Sequence, residues 1–279
     1  MADTLTLRIL RYLPKNLISR AFGWFASWQR PRFFVKPFIR WFAARFRIDL
    51  DEAARPIDDY PSLLAFFTRE LKAGVRSIDR APGVLVSPVD AAVGAFGRIE
   101  SGRLLQAKGL DYELRAFVGE AEALKFKDGW FATLYLSPRD YHRIHSPVDG
   151  QVRASRYDAG TLWPVNGPAV RSIPQLFAVN ERATAFVSTP TSGDVAVVMV
   201  GATNVGSIRF AYLDFVTNRG AASRAWTHDP AVAVERGAHL GTFELGSTVV
   251  LLVSAPRFRW QGLETGGAVR LGRPIGRYE

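Results

Sequence analysis

The sequence predicts an α+β fold in which amphipathic N-terminal helices precede a mostly β core of the barrel or sandwich type. In the first 47 residues, apolar side chains recur at helical spacing. After Val84, short runs rich in Val, Ile, Phe and Tyr alternate with Gly, Pro, Asn and Asp, which is typical of strands joined by turns. The chain has 279 residues, 48% of them hydrophobic and 22% charged, as in ordinary globular proteins. We expect a helical region over residues 1–80 and a β-rich domain over residues 81–279.

The first 47 residues, here called the arm, carry most of the positive charge. They hold ten basic residues and one acidic residue, a net charge of +9 in a chain whose total is +10. They also hold eleven of the 34 aromatic residues. Pro31 and Pro37 predict two or three short helices rather than one long helix. Two stripes at helical spacing run along the arm, formed by Leu17, Ala21, Trp24, Phe25 and Trp28 and by Phe34, Phe38, Trp41 and Phe42.

Basic helices rich in Trp and Phe are typical of proteins that lie on a membrane surface, where each Lys or Arg near anionic lipid contributes roughly 1 kcal/mol. The alternative is that the aromatic stripes pack on the body as ordinary core. Binding of nucleic acid would need the same charge but not so wide an apolar stripe, and we expect no nucleic-acid partner. No apolar run is long enough to span a bilayer, and basic residues interrupt any secretory signal. The chain has no cysteine, which excludes disulfides and thiolate chemistry.

The body is expected to begin with a helix over residues 61–72, because Pro61 suits the first helical position. Weak helical periodicity is also present near 111–118 and 172–178. The segment Ser-Pro-Val-Asp occurs at 87–90 and again at 146–149, followed each time by similar residues, which predicts two related β units in one core. Strands are expected near 91–99, 130–136, 148–157, 194–200, 205–213 and 247–253.

Two of the four histidines, His142 and His145, lie in one segment bracketed by prolines, which predicts a fixed loop between strands. Histidine titrates near neutral pH and is the usual proton carrier in catalysis. A single histidine is more often a structural hydrogen-bonding group, but two in one loop favour a function. The pair could instead bind a metal ion with Asp90 or Asp149, although no metal motif such as HExxH is present.

The second notable segment is Leu245-Gly246-Ser247-Thr248, which is followed by a strongly apolar run. By itself this segment is only a turn that enters a strand. Its significance comes from the other blocks in the chain. These blocks are residues 66–72, 87–90, 106–109 with Tyr112, 135–145, 176–182 and 200–208. Taken together with residues 245–248, they resemble the bacterial membrane-associated phosphatidylserine decarboxylases, in which Leu-Gly-Ser-Thr is the processing site. The chain departs from the family pattern at Ser146 and Arg273, neither of which we assign to chemistry.

The resemblance implies a self-cleaving enzyme whose charge relay consists of Asp90, His145 and Ser247. Asp90 would orient His145, and His145 would take the hydroxyl proton of Ser247, which attacks the carbonyl of Gly246. An ester, then a dehydroalanine and finally a pyruvoyl group at Ser247 would follow. That cofactor would form a Schiff base with phosphatidylserine and accept the electrons released with CO2, giving phosphatidylethanolamine. His142 is the implied proton donor. Neither a metal ion nor pyridoxal phosphate is expected.

Cleavage would give a β chain of residues 1–246 and an α chain of residues 247–279, which are expected to remain together as a heterodimer and to form a dimer of these. The implied partners are phosphatidylserine and an anionic membrane surface, with a peripheral location on the cytoplasmic face of the cell membrane. Two other functions use the same residues. An ordinary serine hydrolase would use Asp90, His145 and Ser247 without cutting itself, and a lipid-binding module would depend on the arm alone.

Overall fold

The computed structural model describes residues 12–107, 110–190, 193–203, 207–245 and 248–279. The arm forms two helices, α1 (Lys15–Ala26) and α2 (Arg32–Phe46). The first helix ends before Pro31 as predicted, whereas Pro37 lies inside α2. Pro37 removes one backbone hydrogen bond, and the helix continues because its buried face packs against the body. The arm is therefore helical, with one break rather than two.

The arm buries one face and exposes the other. Trp24, Phe33 and Trp41 are 66%, 83% and 56% exposed. The core interpretation therefore holds for the buried face, and the membrane interpretation, which concerns the exposed face, stays a prediction. The buried face forms a small core with the body whose members are Ala26, Val35, Ile39, Phe42, Ala43, Ile48, Tyr60, Leu63, Phe66, Phe67 and Leu245.

A short helix, α3 (Leu63–Phe67), connects the arm to the body and is shorter than the predicted 61–72. It begins where the Ser62 hydroxyl accepts a hydrogen bond from the backbone N–H of Ala65, at 3.1 Å. The other helices are α4 (Leu114–Val118), α5 (Glu120–Phe126), α6 (Gly167–Ser172) and α7 (Leu176–Val179), with a 3₁₀ turn at Ile57–Asp59. In the described part of the chain, no helix is both long enough and apolar enough to cross a membrane.

The body is built on antiparallel sheets, which confirms the mixed α+β prediction. The largest has eight strands in the order β11-β7-β8-β9-β13-β5-β2-β15 and stays open among the described residues rather than closing into a barrel. The strands are β1 (Val84–Val86), β2 (Ala91–Arg98), β3 (Arg103–Ala107), β4 (Leu110–Glu113), β5 (Trp130–Tyr135), β6 (Arg143–His145), β7 (Gly150–Asp158), β8 (Arg182–Ser188), β9 (Asp194–Val200), β10 (Ile208–Phe210), β11 (Arg224–Val234), β12 (His239–Phe243), β13 (Thr248–Val253), β14 (Phe258–Trp260), β15 (Ala268–Val269) and β16 (Pro274–Tyr278).

Strand β13 lies near the centre of the large sheet, between β9 and β5, and all six of its residues are buried. Its continuous apolar sequence suits a strand that is covered on both faces. The first residue, Thr248, pairs with Tyr135 of β5 and with Val200 of β9. The register therefore fixes the residue that follows Ser247 at one end of the most deeply buried strand.

The two Ser-Pro-Val-Asp segments have matching local structures. The Ser87 hydroxyl donates to the carbonyl of Val89 at 2.6 Å, and the Ser146 hydroxyl donates to the carbonyl of Val148 at 2.7 Å. The segments also exchange equivalent backbone hydrogen bonds, as expected for two units related by an approximate two-fold axis. His145 donates to the carbonyl of Pro88 at 3.0 Å, and Val86 donates to the carbonyl of Pro147 at 3.1 Å.

The aspartates of the two segments also match each other. Asp90 Oδ1 accepts from the backbone N–H of Leu271, and Asp149 Oδ1 accepts from that of Arg236, both at 2.8 Å. These contacts support the prediction of two related β units. Because the units meet through their Ser-Pro-Val-Asp segments, the fold brings Asp90 of the first unit close to His145 of the second.

Candidate active site

The loop before β6 is fixed by the side chain of Asp140. Its Oδ2 accepts from the backbone N–H and the hydroxyl of Ser137, at 2.7 and 2.6 Å. The carbonyl of Asp140 lies 2.8 Å from Nδ1 of His142. A carbonyl oxygen can only accept, so Nδ1 of His142 carries the proton and Nε2 has the lone pair. The histidine segment is thus a fixed loop, as predicted, leading into β6.

His142 is fully buried under the ring of Phe67, with ring centroids 3.9 Å apart. Its Nε2 has no hydrogen-bond partner among the described residues. Burial, together with the nearby Arg69 guanidinium, lowers the pKa of His142 to about 3, against a smaller opposing effect of the Asp140 carbonyl. The imidazole is therefore neutral at physiological pH.

His145 lies at the end of β6, where Nδ1 donates to the carbonyl of Gly237 at 2.7 Å. Its Nε2 lies 3.3 Å from the hydroxyl of Tyr141. Burial is the main cause that lowers the pKa of His145 to about 4, while the negative charge of Asp90 raises it slightly. A neutral imidazole whose Nε2 carries the lone pair is the form that can act as a general base.

Asp90 is held by Arg76 and by the backbone of Leu271. Arg76 Nε donates to both carboxylate oxygens, at 3.0 and 3.1 Å, and Nη2 forms a 2.5 Å ion pair. The same guanidinium binds Glu52 at 2.8 and 2.7 Å. Within the described part of the chain, no hydrogen bond joins Asp90 to His145. The structure thus brings the two residues together, while Gly237 orients the imidazole and the direct Asp90–His145 contact stays a prediction.

Gly246 and Ser247 lie outside the described residues, so the predicted cleavage site is defined here by its neighbours. Leu245 is buried and has a φ of 146°, a backbone conformation that side chains other than glycine rarely adopt. Thr248 is buried at the start of β13. Leu245, which precedes positions 246 and 247, belongs to the small core. Thr248, which follows them, belongs to the large sheet.

Two cavities adjoin these flanking residues. The smaller, of about 300 Å³, is lined by Leu245 and by aromatic residues of the arm and α3, including Phe42 and Phe67. The larger, of about 640 Å³, is lined by Thr248 and Thr133, whose buried hydroxyls have no partner among the described residues. Both cavities share the side chains of Tyr135, Val165 and Asn166. Leu245 therefore borders an apolar space, and Thr248 borders a space with hydroxyl groups that have no partner among the described residues.

Sequence reasoning did not identify the groups that control the charge of this site. Arg76 and Glu52 are 24 residues apart and Arg76 and Asp90 are 14 apart, so no local pattern pairs them. Arg69 was part of a resembling block but had no assigned role. In the described ranges, no three His, Asp or Glu side chains are close enough to hold a metal ion.

Comparison with known proteins identifies the family. A family model described as phosphatidylserine decarboxylase matches residues 63–277, most of the chain. The chain belongs to the phosphatidylserine decarboxylase family. A second model, described as PSD, matches residues 5–47, which lie within the arm. The resemblance stated from the sequence is thus confirmed.

Relatives of similar length carry the same name. Phosphatidylserine decarboxylase proenzymes from Anaeromyxobacter sp. (strain K), Myxococcus xanthus and Azotobacter vinelandii are 46%, 40% and 42% identical to this chain. Each match covers 99% of both proteins. The family assignment therefore applies to the arm and the body together. A proenzyme is a precursor that is processed, which agrees with the expected self-cleavage of a phosphatidylserine decarboxylase.

Proposed function

We propose that this chain cuts itself between Gly246 and Ser247 and then decarboxylates phosphatidylserine to phosphatidylethanolamine and CO2. The observation that carries the proposal is a pair of neutral histidines, His142 buried in the fixed loop and His145 half-buried in the strand that follows it, in a fold whose cavities border the residues on either side of positions 246 and 247. Membership of the family supports the substrate.

In the cut, His145 Nε2 would accept the hydroxyl proton of Ser247, whose oxygen attacks the carbonyl carbon of Gly246. The peptide C–N bond breaks, so that Gly246 is held as an ester. Loss of the Ser247 Cα proton then expels the Gly246 carboxylate and leaves a dehydroalanine, and water converts this to a pyruvoyl group with release of ammonia. The Gly237 carbonyl holds the tautomer that this step needs, and Asp90 stabilises the imidazolium that forms.

The residues beside position 247 suit a pyruvoyl group. The hydroxyls of Thr133 and Thr248 are buried and able to donate hydrogen bonds to carbonyl oxygens. The group would supply an electron acceptor for the pair of electrons left when CO2 departs. The remaining requirement is a proton for the substrate carbon, which we assign to His142. Neither a metal ion nor pyridoxal phosphate is part of the proposal.

The test combines intact mass with product analysis. Purified protein is expected to consist of two pieces, residues 1–246 and 247–279, the second beginning with a pyruvoyl group, and to release CO2 from phosphatidylserine. The 33-residue piece should stay bound because its first strand lies inside the large sheet. A single unmodified chain of 30.9 kDa with esterase activity would instead establish the ordinary serine hydrolase.

We further propose that residues 1–80 form a membrane-surface region and residues 81–279 the catalytic domain, which after cleavage is a heterodimer of α and β chains, with two such units forming a dimer. The exposed aromatic residues of α1 and α2 are interspersed with exposed arginines such as Arg32, Arg45 and Arg47. This combination suits the headgroup layer of an anionic membrane. A peripheral position on the cytoplasmic face would give the site access to the lipid headgroup.

Replacing Trp24, Phe33 and Trp41 together by Ala is expected to weaken binding to anionic vesicles roughly tenfold or more, because these rings would insert between headgroups. The triple variant keeps the buried face of the arm, whereas deletion of residues 1–47 would strip part of the small core. The control is Leu124→Ala, which removes a side chain as exposed as Trp24, at 66%, from helix α5 of the body. Sedimentation with vesicles of phosphatidylglycerol and phosphatidylcholine measures the effect. Equal binding of the triple variant and the wild type would show that the exposed face of the arm does not bind the membrane.

A further inference from the structure

Arg69 is a buried cation that the cleavage chemistry does not use. Only 4% of the residue is exposed, and it forms no ion pair within the described part of the chain. Nη2 donates to the carbonyl of Arg139 at 3.1 Å, while Nε and Nη1 have no partner among the described residues. An uncompensated charge and unpaired donors are costly to bury, so a group held in this way is suited to an anion that binds there.

The acidic groups around Arg69 do not neutralise it directly. Glu52 and Asp90 are close enough to favour its charged form, as are Tyr60 and Tyr141. Both carboxylates, however, are bound to Arg76. Burial is the larger effect and lowers the pKa of Arg69. The donors on Nε and Nη1 therefore remain available to an anion of external origin.

The surroundings of Arg69 connect it with the 300 Å³ cavity. Phe67, two residues before it, lines the 300 Å³ cavity and covers His142. Arg139, whose carbonyl Arg69 binds, follows Pro138, which also lines that cavity. The ring of Phe67 therefore separates the buried His142 from this cavity, and we expect that side chain to turn aside when a substrate meets His142. The same movement would open the way to Arg69.

We propose that Arg69 binds the phosphate of the phospholipid headgroup beside His142. The inference rests on the proposed decarboxylation. The headgroup of phosphatidylserine offers two anions, a phosphate and a carboxylate. A cation paired with the carboxylate would stabilise the reactant more than the departing neutral CO2 and so oppose the reaction. The phosphate keeps its charge throughout the reaction, and pairing it with a guanidinium fixes the lipid without that penalty.

Binding of the phosphate would also change the charge state of His142. In the free protein, burial and the positive charge of Arg69 keep the imidazole neutral, and Arg69 is the charged side chain of the described residues that acts on it most. An anion on Arg69 offsets that positive charge and favours protonation of Nε2. The proton that His142 delivers would then be taken up when the substrate binds.

The experiment uses the uncut full-length chain carrying Ser247→Ala, so that the measurement does not depend on catalysis. The imidazole signals of His142 are followed by NMR while dihexanoyl phosphatidylethanolamine, dihexanoyl phosphatidylserine or neutral dihexanoylglycerol is added. Both phospholipids are expected to raise the pKa of His142 and the neutral lipid is not. Adding Arg69→Gln should weaken phospholipid binding about tenfold or more and abolish the shift, whereas Arg69→Lys should keep part of it.

Arg143→Gln is the matched control, because the positive charge of Arg143 lowers the pKa of His145 and is not among the causes that shift the pKa of His142. It should leave the effect of lipid on His142 intact. A response to phosphatidylserine alone would assign Arg69 to the carboxylate and overturn the proposal. Equal responses to dihexanoylglycerol, or unchanged phospholipid binding in Arg69→Gln, would overturn it as well.

Measuring self-cleavage in chains that keep Ser247 separates this inference from the proposed function. Arg69→Gln is expected to cut itself normally, which shows that it folds, yet to lose most of its decarboxylase activity. We expect the same of His142→Ala, which keeps the residues proposed for the cut but lacks the proposed proton donor. If Arg69→Gln does not cut itself, two other measurements test phosphate binding by Arg69. These are the lipid titration of Arg69→Lys and the comparison of phospholipid with dihexanoylglycerol in the chain that keeps Arg69. If the wild type neither cuts itself nor releases CO2, the proposed function fails, whatever Arg69 binds.

Discussion

Ser247→Ala is expected to leave one uncut chain that releases no CO2 from phosphatidylserine. The substitution removes the oxygen that we propose attacks Gly246 and, with it, the proposed source of the pyruvoyl group. Since one atom serves both steps, cleavage and decarboxylation should fall together, each by roughly a thousandfold or more. Denaturing gels and intact mass report the first, and labelled CO2 release reports the second.

Ser254→Ala provides the matched control for this change. Ser254 follows the last residue of β13, and its hydroxyl accepts a hydrogen bond from Asp194 at 2.7 Å. Loss of that bond costs on the order of 1 kcal/mol of stability and should leave both reactions in place. If the Ser247→Ala protein still released CO2 while remaining in one piece, the pyruvoyl mechanism would be wrong. An unchanged cellular role would favour the lipid-binding module.

His145→Ala should also yield an uncut precursor, because it removes the imidazole that we propose takes the Ser247 proton. A loss of roughly a thousandfold in the cleavage rate is expected. Since the pKa of His145 is lowered to about 4, the base stays neutral at higher pH. Cleavage of the wild type should therefore be independent of this residue's titration above pH 5 and decline as the pH falls through about 4.

His239→Ala serves as the control, since His239 pairs with His145 across β12 and β6 and its ring centroid lies 5.7 Å away. It should cut itself. For the aspartate, Asp90→Ala should leave an uncut chain, whereas Asp149→Ala, at the equivalent position of the other β unit, should not. Pulse–chase labelling during cell-free synthesis gives the cleavage rates. Normal processing of His145→Ala or Asp90→Ala would remove that residue from the relay.

Local sequence patterns were sufficient to predict the elements that hold the site. The apolar run after Ser247 forms β13, and the proline-bracketed histidine segment forms a fixed loop that continues into the short strand β6, which was not predicted. The division of the arm into a buried and an exposed face depends on which side meets the body, which periodicity alone does not reveal. The ion pairs of Arg76 with Glu52 and Asp90 join residues that are far apart in the sequence, so they can be recognised only in the folded chain.

The backbone bond from Leu271 to Asp90 has a consequence for the timing of maturation. Leu271 holds an aspartate that is made 181 residues earlier. If Asp90 supports the cut as proposed, a nascent chain cannot complete its own activation until residue 271 has been made and has docked against Asp90. The contact would thus work as a folding checkpoint, sparing incomplete polypeptides from premature scission.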